Sequence, residues 1–232
     1  MINILIYNTA SKRMETFVRE LGDPMPYITG RTLTVGEFRS KSTSGVIWSD
    51  TVTMDSWDRQ RATWGRPIYV GYAFRRIGEG GHSNQSQHYA GVAFDVGQNL
   101  NRANLNELWR SASNSGLWTY VEPQSLTPTW VHFDRRTNPP ACQTGGYPLQ
   151  KLGSRGNYVC LLQDALATVG IPAVMIDGSF GPITENAVRL FQRENALSPD
   201  GIVGCLTWTK LTAMANNKFR TSPPIPPQYV GM

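Results

Sequence analysis

The sequence predicts an α+β chain in which a large N-terminal domain is followed by a small all-α domain of three helices. The 232 residues correspond to one large and one small unit at about 150 residues per domain. A segment rich in Pro and Gly at 138–148 interrupts the apolar patterns. Before it, residues 130–134 alternate as in a strand, and after it apolar residues recur at helical spacing.

This interruption sets the predicted boundaries. We expect a first domain at 1–140, a linker at 141–149, a helical domain at 150–214 and a Pro-rich tail at 215–232. The tail is expected to be extended, because four of its residues between 221 and 228 are prolines.

Composition excludes several classes of protein. With 40% hydrophobic and 17% charged residues, the chain can build a core and is not disordered throughout. No run of about 18 apolar residues exists, so no membrane insertion is expected. The N-terminal apolar run is too short for a signal peptide, and no basic residue precedes it. We therefore expect that the protein is made in the cytoplasm, and the sequence does not indicate the route by which it would be exported.

The net charge indicates which partners to expect. The net charge of +5 is spread thinly, whereas nucleic-acid binding demands a concentrated basic stripe. Nucleic acid is therefore not an expected partner.

Three cysteines are an odd number and do not describe a disulfide framework. We expect three thiols, with a Cys160–Cys205 bridge as the alternative.

The helical domain contains an internal repeat. Asp177-Gly178 is followed 23 residues later by Asp200-Gly201, each within a similar octapeptide. An Asp-Gly pair makes a turn, and the short polar residue or Pro that follows opens a helix. Apolar stripes then predict three helices, through these residues: Val159, Leu161, Leu162, Ala165, Leu166 and Val169; Ala187, Val188, Leu190 and Phe191; Trp208 and Leu211.

This region resembles the bacterial peptidoglycan-binding domain over nearly all of 150–212. The resemblance rests on many spaced positions: Leu152, Gly156, Val159, Leu162, Gln163, Asp177, Gly178, Phe180, Gly181, Thr184, Ala187, Val188, Phe191, Gln192, Asp200, Gly201, Thr207 and Trp208. It implies binding to the glycan-peptide polymer. The shared positions are mostly structural, so we assign no binding residue from them.

Two histidines and a carboxylate form a candidate metal site. His88 and Asp95 lie in one segment, where small residues between them allow close backbone approach. His132 lies in an alternating segment, and a period of two places Trp130, His132 and Asp134 on one face of a strand. Two histidines and one carboxylate, with a fourth position left to water, are a catalytic zinc set. Asp134 could orient a ligand or pair with a neighbouring arginine.

The pattern Ser86-x-His88-x-x-Gly-x-Ala-x-Asp95, followed by a strand carrying His132, resembles the zinc D-Ala-D-Ala peptidase family. That family shares its fold with the hedgehog signalling domain. The resemblance is clearest over 67–134 and implies a hedgehog/DD-peptidase-like fold for 1–140. It also implies Zn²⁺ as cofactor, bound by His88, Asp95 and His132.

The catalytic carboxylate is not at the position used by the vancomycin-resistance dipeptidase branch, where a Glu lies three residues before the last histidine. Thr129 occupies that position here. Residues 118–123 resemble a stretch of hedgehog-type domains whose Glu faces the zinc, which implies Glu122 as general base and then acid. Glu107 and Glu79 are weaker substitutes.

Substrate recognition is expected to need a cation, because a D-Ala terminus carries a carboxylate. Arg75 or Arg76 could clamp that carboxylate or steady the oxyanion, and the sequence leaves the choice open. Ser86 and Trp130 are expected to contact substrate. The glycine-rich segment 78–82, which ends at His82, predicts a loop over the site.

The sequence therefore predicts a monomeric zinc-dependent peptidoglycan hydrolase, anchored to the wall by its C-terminal module. Its reaction would be of the D-Ala-D-Ala carboxypeptidase or endopeptidase type, acting at the cell wall in phage lysis, sporulation or autolysis. Two alternatives stay open. One is a non-catalytic zinc-containing wall-binding protein, motivated by Thr129; the other is an L-Ala-D-Glu endopeptidase (endolysin).

Overall fold

The computed structural model describes residues 1–79, 83–141, 146–171 and 175–221. His82 and Cys142 of the predictions above, and positions 222–232 of the predicted tail, lie outside these ranges. In chain order the elements are β1 (Ile2–Asn8), β2 (Arg13–Arg19), α1 (Val35–Arg39), β3 (Val46–Asp50), α2 (Thr51–Trp64), β4 (Val70–Tyr72), β5 (Ala93–Val96), α3 (Arg102–Asn114), β6 (Tyr120–Val121), β7 (Val131–Asp134), α4 (Asn157–Thr168), α5 (Pro182–Glu194) and α6 (Cys205–Thr221).

The N-terminal half holds two sheets. In the first, of order β2-β1-β3, β1 pairs antiparallel with β2 and parallel with β3. Ile4 and Ile6 of β1 are fully buried, as a β-branched strand facing a core should be. At the end of β3, Asp50 caps α2 by accepting a hydrogen bond from the backbone N–H of Thr53 at 2.7 Å.

The second sheet, of order β4-β5-β7-β6, is antiparallel throughout. One face of β7 buries Val131 and Phe133, and the other carries His132 and Asp134. The predicted alternation of β7 is therefore confirmed for both polar residues, whereas Trp130 lies one position before the strand. Mixed α+β architecture with a helical C-terminal unit is also confirmed.

Helix α4 is buried on nearly every side, since eleven of its twelve residues are buried. Such a helix must have neighbours all round. It packs on α5 and α6 on one side and on β3 on another. Its polar side chains find partners in the N-terminal half, as in the ion pair of Asp164 with Arg76 at 2.8 Å. The helical unit is thus joined to the rest of the chain through a shared core.

The predicted helices of the C-terminal unit are confirmed, and two glutamines explain its repeated turns. Gln163 accepts hydrogen bonds from the backbone N–H groups of residues 177 and 178 and donates to Asp177 and Thr184. Gln192 repeats this arrangement around Gly201, which donates its N–H to the glutamine carbonyl at 2.9 Å. Each turn is therefore locked by a side chain from the preceding helix.

Three sequence-based expectations are corrected. The tail does not begin at 215, because α6 continues to Thr221 and buries Ala215. The linker predicted at 141–149 is packed into the structure at residues 146–148, which are buried. Both cysteine alternatives are wrong: Cys205 is disulfide-bonded, while Cys160 is a buried free thiol. Cys160 of α4 lies beside Gly178, and burial raises the pKa of its thiol well above the usual range.

Across the ranges that the structure describes, no helix has the length and apolarity needed to span a membrane.

The ion pair of Arg76 with Asp164 generates a stability prediction. Both side chains are at most 4% exposed, so removing either partner leaves a buried charge unpaired. We expect Arg76→Met and Asp164→Leu each to lower the free energy of unfolding by about 3–5 kcal/mol. The double variant should lose less than the sum of the two, because no uncompensated charge remains. Urea unfolding of all three variants measures this coupling.

The control for that cycle is an exposed ion pair. Arg59 and Asp55 are 65% and 63% exposed and lie 3.5 Å apart, so Asp55→Asn should change stability by less than about 1 kcal/mol. Strict additivity in the Arg76 and Asp164 cycle would contradict the prediction.

Candidate metal centre

Three predicted ligands converge on one face of the second sheet. His88, Asp95 and His132 each place a ligand atom within 4.8 Å of the other two. Nε2 of His88 lies 3.3 Å from Oδ2 of Asp95, and Nδ1 of His132 lies 2.7 Å from Oδ1 of the same carboxylate. Register explains half of this arrangement, because Asp95 on β5 is directly opposite His132 on β7.

The ring of His88 is oriented by the main chain. Its Nδ1 lies 2.6 Å from the carbonyl oxygen of Ala73, and a carbonyl can only accept a hydrogen bond. Nδ1 therefore carries a proton, and Nε2 is the ring atom that faces Asp95. The backbone carbonyl of His88 also accepts a hydrogen bond from the N–H of Arg75 at 3.2 Å. The ring is thus oriented so that Nε2 is the atom available to a metal ion.

The ring of His132 is oriented by a carboxylate. Its Nε2 lies 3.1 Å from Oδ2 of Asp134, whose other oxygen accepts from Nε of Arg136 at 2.8 Å. Nδ1 of His132 is left facing Asp95. The two roles expected for Asp134, orienting a ligand or pairing with a neighbouring arginine, therefore occur together. Arg135 instead donates to a backbone carbonyl.

Close contact between the side chains of this centre shifts the pKa values of His132 and Asp95. Burial acts to lower the pKa of His132, but hydrogen bonds to Asp134 and Asp95 outweigh it and raise the pKa to about 9. Desolvation acts to raise the pKa of Asp95, but the charge of His88 and hydrogen bonds from both histidines lower it far below its usual range. A metal ion would have to displace a proton from His132, because a histidine ligand is neutral.

Close backbone approach behind the centre requires glycine, as the small residues near His88 predicted. Gly91 has a φ of +69°, and a Cβ at this position would lie 1.9 Å from the carbonyl oxygen of Trp48. Its own carbonyl accepts a hydrogen bond from Oγ of Ser49 at 2.7 Å. The segment that carries His88 is therefore held directly against β3.

Glu122 lies beside the predicted ligands. Its N–H donates to the carbonyl of His132 at 2.9 Å, and its neighbour Val121 pairs with Phe133. Glu122 and His132 are consequently opposite each other on adjacent strands, so their side chains share a face. The half-buried carboxylate has no hydrogen bond or ion pair within the described ranges. Its catalytic role stays a prediction.

The two arginines are placed differently. Arg76 is turned toward α4, where it pairs with Asp164. Arg75 is 1% exposed, stacks its guanidinium 4.5 Å from the ring centre of Tyr72, and leaves Nη2 without a hydrogen-bond partner in the described part of the chain. Burial lowers the pKa of Arg75, against the raising effect of nearby charges that include Asp95.

The remaining predicted residues are partly accounted for. Oγ of Ser86 accepts a hydrogen bond from the N–H of His88 at 3.4 Å, and half-buried Trp130 lies in the turn before β7. Glu107 is exposed and pairs with Arg66. Glu79 accepts hydrogen bonds from the backbone of residues 43 and 76, which gives it a structural contact. Sequence reasoning missed the backbone carbonyl that orients His88, since side-chain patterns carry no such signal.

One comparison with known proteins covers the helical unit. Residues 155–211 match the family described as "Putative peptidoglycan binding domain". The predicted resemblance of this region is therefore confirmed, and peptidoglycan is the partner that the match supports. The resemblance of 67–134 to the zinc D-Ala-D-Ala peptidases receives no such support and stays a prediction.

Similar proteins match part of the chain. An uncharacterized protein in the bpoA1 3'region of Kitasatospora aureofaciens is 42% identical over 80 residues, which are 31% of this chain and 65% of the relative. A peptidoglycan-binding protein from Clostridioides difficile, solved with glutamine hydroxamate, is 39% identical over 30% of this chain and 43% of that one, with a TM-score of 0.29. The SleB N-terminal domain is 33% identical over 29% of this chain and 92% of that one, with a TM-score of 0.28.

The glycine behind the centre gives a second stability prediction. Gly91→Ala should lower the free energy of unfolding by more than about 4 kcal/mol, since it adds a backbone clash to a left-handed conformation. Gly65 is a matched control, because its φ is +72° but nothing lies within 4 Å of the position that a Cβ would take. Gly65→Ala should cost about 1–2 kcal/mol. Equal losses in urea unfolding would show that the contact with Trp48 is unimportant.

Proposed function

We propose that this chain, which carries a peptidoglycan-binding domain at 155–211, is a zinc-dependent hydrolase of the peptide bonds in peptidoglycan. The bond is one of the stem peptide or cross-link, and cleavage is of the D-Ala-D-Ala carboxypeptidase or endopeptidase type. The observation that carries this proposal is the convergence of His88, Asp95 and His132 within 4.8 Å, on a chain that also carries a peptidoglycan-binding domain.

The donor set fits zinc. Two imidazoles and one carboxylate are the ligands of many catalytic zinc sites, which keep a further position open, and imidazole does not suit magnesium or calcium. Both histidines are already oriented, His88 by the carbonyl of Ala73 and His132 by Asp134. When bound, zinc would supply Lewis acidity, which makes water easier to deprotonate and polarises a carbonyl group.

Glu122 is the proposed general base and acid. Its N–H donates to the carbonyl of His132, so it continues the register of β6 with β7, and residues opposite each other in a sheet extend their side chains on one face. Its carboxylate has no partner in the described ranges that would hold it elsewhere. It would take a proton from the attacking water and pass it to the leaving amine. Anchoring of its backbone carbonyl by Nε1 of Trp109 at 2.9 Å restricts this end of the strand.

Arg75 is the proposed contact for substrate charge. A buried guanidinium whose Nη2 has no partner in the described part of the chain can bind a terminal carboxylate or a developing oxyanion. Arg76 is not proposed for this role, because its guanidinium is engaged by Asp164. Ser86 and Trp130 are proposed to border the substrate, from the segment before His88 and the turn before β7.

A second candidate function is a wall-binding protein that holds zinc without turnover. Thr129 at the position of the Glu in one related branch favours it, and this residue is exposed. Against it stands Glu122, a carboxylate free of described partners beside the ligand set. The two candidates differ in a single measurement, which is the release of amino groups from peptidoglycan.

The activity prediction concerns Glu122. Purified peptidoglycan is incubated with the zinc-loaded full chain, and released amino groups are counted. We expect Glu122→Gln to lower the rate by about 10²–10⁴-fold, the usual contribution of a general acid–base group. Its zinc content should stay near one ion per chain, because Glu122 is not a proposed ligand. His88→Ala should lose both zinc and activity.

Glu107→Gln is the matched control, since Glu107 is an exposed carboxylate in a surface ion pair; it should keep full activity. A zinc-loaded wild type that releases nothing above Glu122→Gln would favour the non-catalytic candidate. A wild type that binds no zinc would contradict the metal centre itself. Mass spectrometry of the fragments then separates cleavage at D-Ala-D-Ala from cleavage at L-Ala-D-Glu.

Wall contact is proposed at an apolar surface of the helical unit. A cavity of about 210 Å³ is lined by Ile202, Leu206 and neighbouring residues of the second glutamine-locked turn. Leu206 is 74% exposed although it is a large apolar residue. Concave sites with apolar walls and a few polar groups are typical ligand sites.

We expect Leu206→Asp to weaken binding of the full chain to cell walls by about tenfold or more, because covering a leucine contributes about 1.5–3 kcal/mol. The fold should persist, since an acidic residue suits the first turn of α6. Co-sedimentation with purified walls measures the change. Leu21→Asp, at an exposed apolar residue of the N-terminal half, should bind as wild type; equal loss in both variants would show that the effect is not local.

A further inference from the structure

We infer that the helical domain and the linker segment before it are part of the scaffold of the proposed metal centre, with Tyr147 of that segment and Asn157 and Tyr158 of α4 as positioning residues for His88. These residues hold the His88 loop, defined as residues 83–92. The inference rests on the proposed function in one respect: the measurement of zinc affinity assumes that the centre binds zinc. It assigns the helical domain a role beyond wall binding.

Tyr158, in the first turn of α4, holds the residue before His88. Its hydroxyl donates to Oε1 of Gln87 at 2.7 Å and accepts from the N–H of Thr137 at 3.1 Å. Gln87 and Tyr158 are 3% and 6% exposed, so water does not readily replace these bonds. One hydroxyl therefore connects the His88 loop with the segment that follows β7.

Tyr147 holds the two positions before that. Its hydroxyl donates to the carbonyl of Ser86 at 2.8 Å, and its N–H donates to Oε1 of Gln85 at 3.1 Å. The ring is fully buried and lies 5.0 Å from Trp208 of α6, in an edge-to-face arrangement. The core of the helical domain therefore fixes the ring that supports the loop.

Contacts at the two ends of the loop complete this support. Nδ2 of Asn157 donates to the carbonyl of Ala90 at 3.2 Å and to Oδ2 of Asp50 at 3.0 Å. Near the start of the loop, Nδ2 of Asn216 on α6 donates to Oδ1 of Asn84 at 2.8 Å. The helical domain thus touches the loop on both sides of His88.

A second support reaches His88 through the segment after β4. The imidazole and the carbonyl of His88 bind Ala73 and Arg75. The next residue, Arg76, is anchored on α4 by Asp164 through Nε at 3.0 Å and Nη2 at 2.8 Å. Both segments that determine the position of His88 are therefore attached to the same helix.

This support matters because the His88 loop contains no helix or strand before β5. Its internal hydrogen bonds are those of turns, such as the bonds from the N–H of Tyr89 to Ser86 and from the N–H of Gly91 to His88. Segments held in this way unfold locally more readily than helices and strands. Asp95 and His132, by contrast, are fixed by strand pairing. His88 is therefore the ligand whose position depends on the helical domain. Loss of partners that orient a metal ligand typically weakens metal binding by about 10–100-fold.

Hydrogen–deuterium exchange of the metal-free full chain tests the inference. Tyr158→Phe and the double variant Tyr147→Phe/Tyr158→Phe remove hydroxyls but keep both rings. Exchange in peptides covering 83–92 should rise about tenfold in the double variant, since a net hydrogen bond contributes about that factor. Gln192→Met is the matched control, because Gln192 locks a turn inside the helical domain and does not touch the loop. It should raise exchange near residues 200–207 only.

Zinc affinity supplies the second measurement, by competition with a chromophoric chelator. Kd should rise about 10–100-fold in the double variant and stay within about threefold of wild type in Gln192→Met. Unchanged loop exchange in the double variant, or an equal rise in Gln192→Met, would overturn the inference. If the wild type bound no zinc, the proposed function would fall, and the exchange data alone would decide whether these tyrosines hold the loop.

Discussion

The burial of α4 on nearly every side is the constraint on which the rest of the structure depends. A helix without a solvent face must place its polar side chains against partners, because an unpaired buried polar group costs several kcal/mol. Asp164, Asn157 and Tyr158 all find those partners in the N-terminal half. The two halves that the sequence separates by a Pro- and Gly-rich segment therefore share one core. A peptidoglycan-binding unit built in this way cannot move independently of the N-terminal half.

The metal centre combines two kinds of support. Strand register places Asp95 opposite His132 with no help from outside the sheet, whereas His88 comes from a loop that depends on neighbours. Short contacts hold the side chains together, since the ring of His132 lies between the carboxylates of Asp95 and Asp134, and the ring of His88 faces Asp95. This arrangement is the preorganisation that the proposed metal site would need, with the cation replacing the proton of His132.

The sequence was informative where chemistry is local. The alternation around His132 predicted the shared face of His132 and Asp134, the resemblance to the zinc peptidases implied that His88, Asp95 and His132 lie together, and Asp-Gly turns located the helices. Long-range pairing was invisible: Arg76 and Asp164 are 88 positions apart, and nothing in either neighbourhood marks them as partners. The burial of the segment around Tyr147 was not predicted, because Pro and Gly signal irregular backbone without saying whether it is buried. Gln163 and Gln192 lie 14 and 8 positions before the Asp-Gly pairs of their turns, so the 23-residue repeat does not mark them and only their hydrogen bonds reveal that they lock the turns.

The turns locked by Gln163 and Gln192 have the same pattern of hydrogen bonds, but one is covered by other parts of the chain and the other is exposed. In the first, Gly178 abuts Met14 of β2 and Cys160, so that a Cβ there would lie 2.7 Å from the Met14 sulfur. In the second, Asp200 and Ile202 are exposed beside a shallow cavity. The two repeats therefore have different consequences for the molecule. The first turn is covered by β2 and helps to join the two halves of the chain, whereas the second leaves a surface open to solvent.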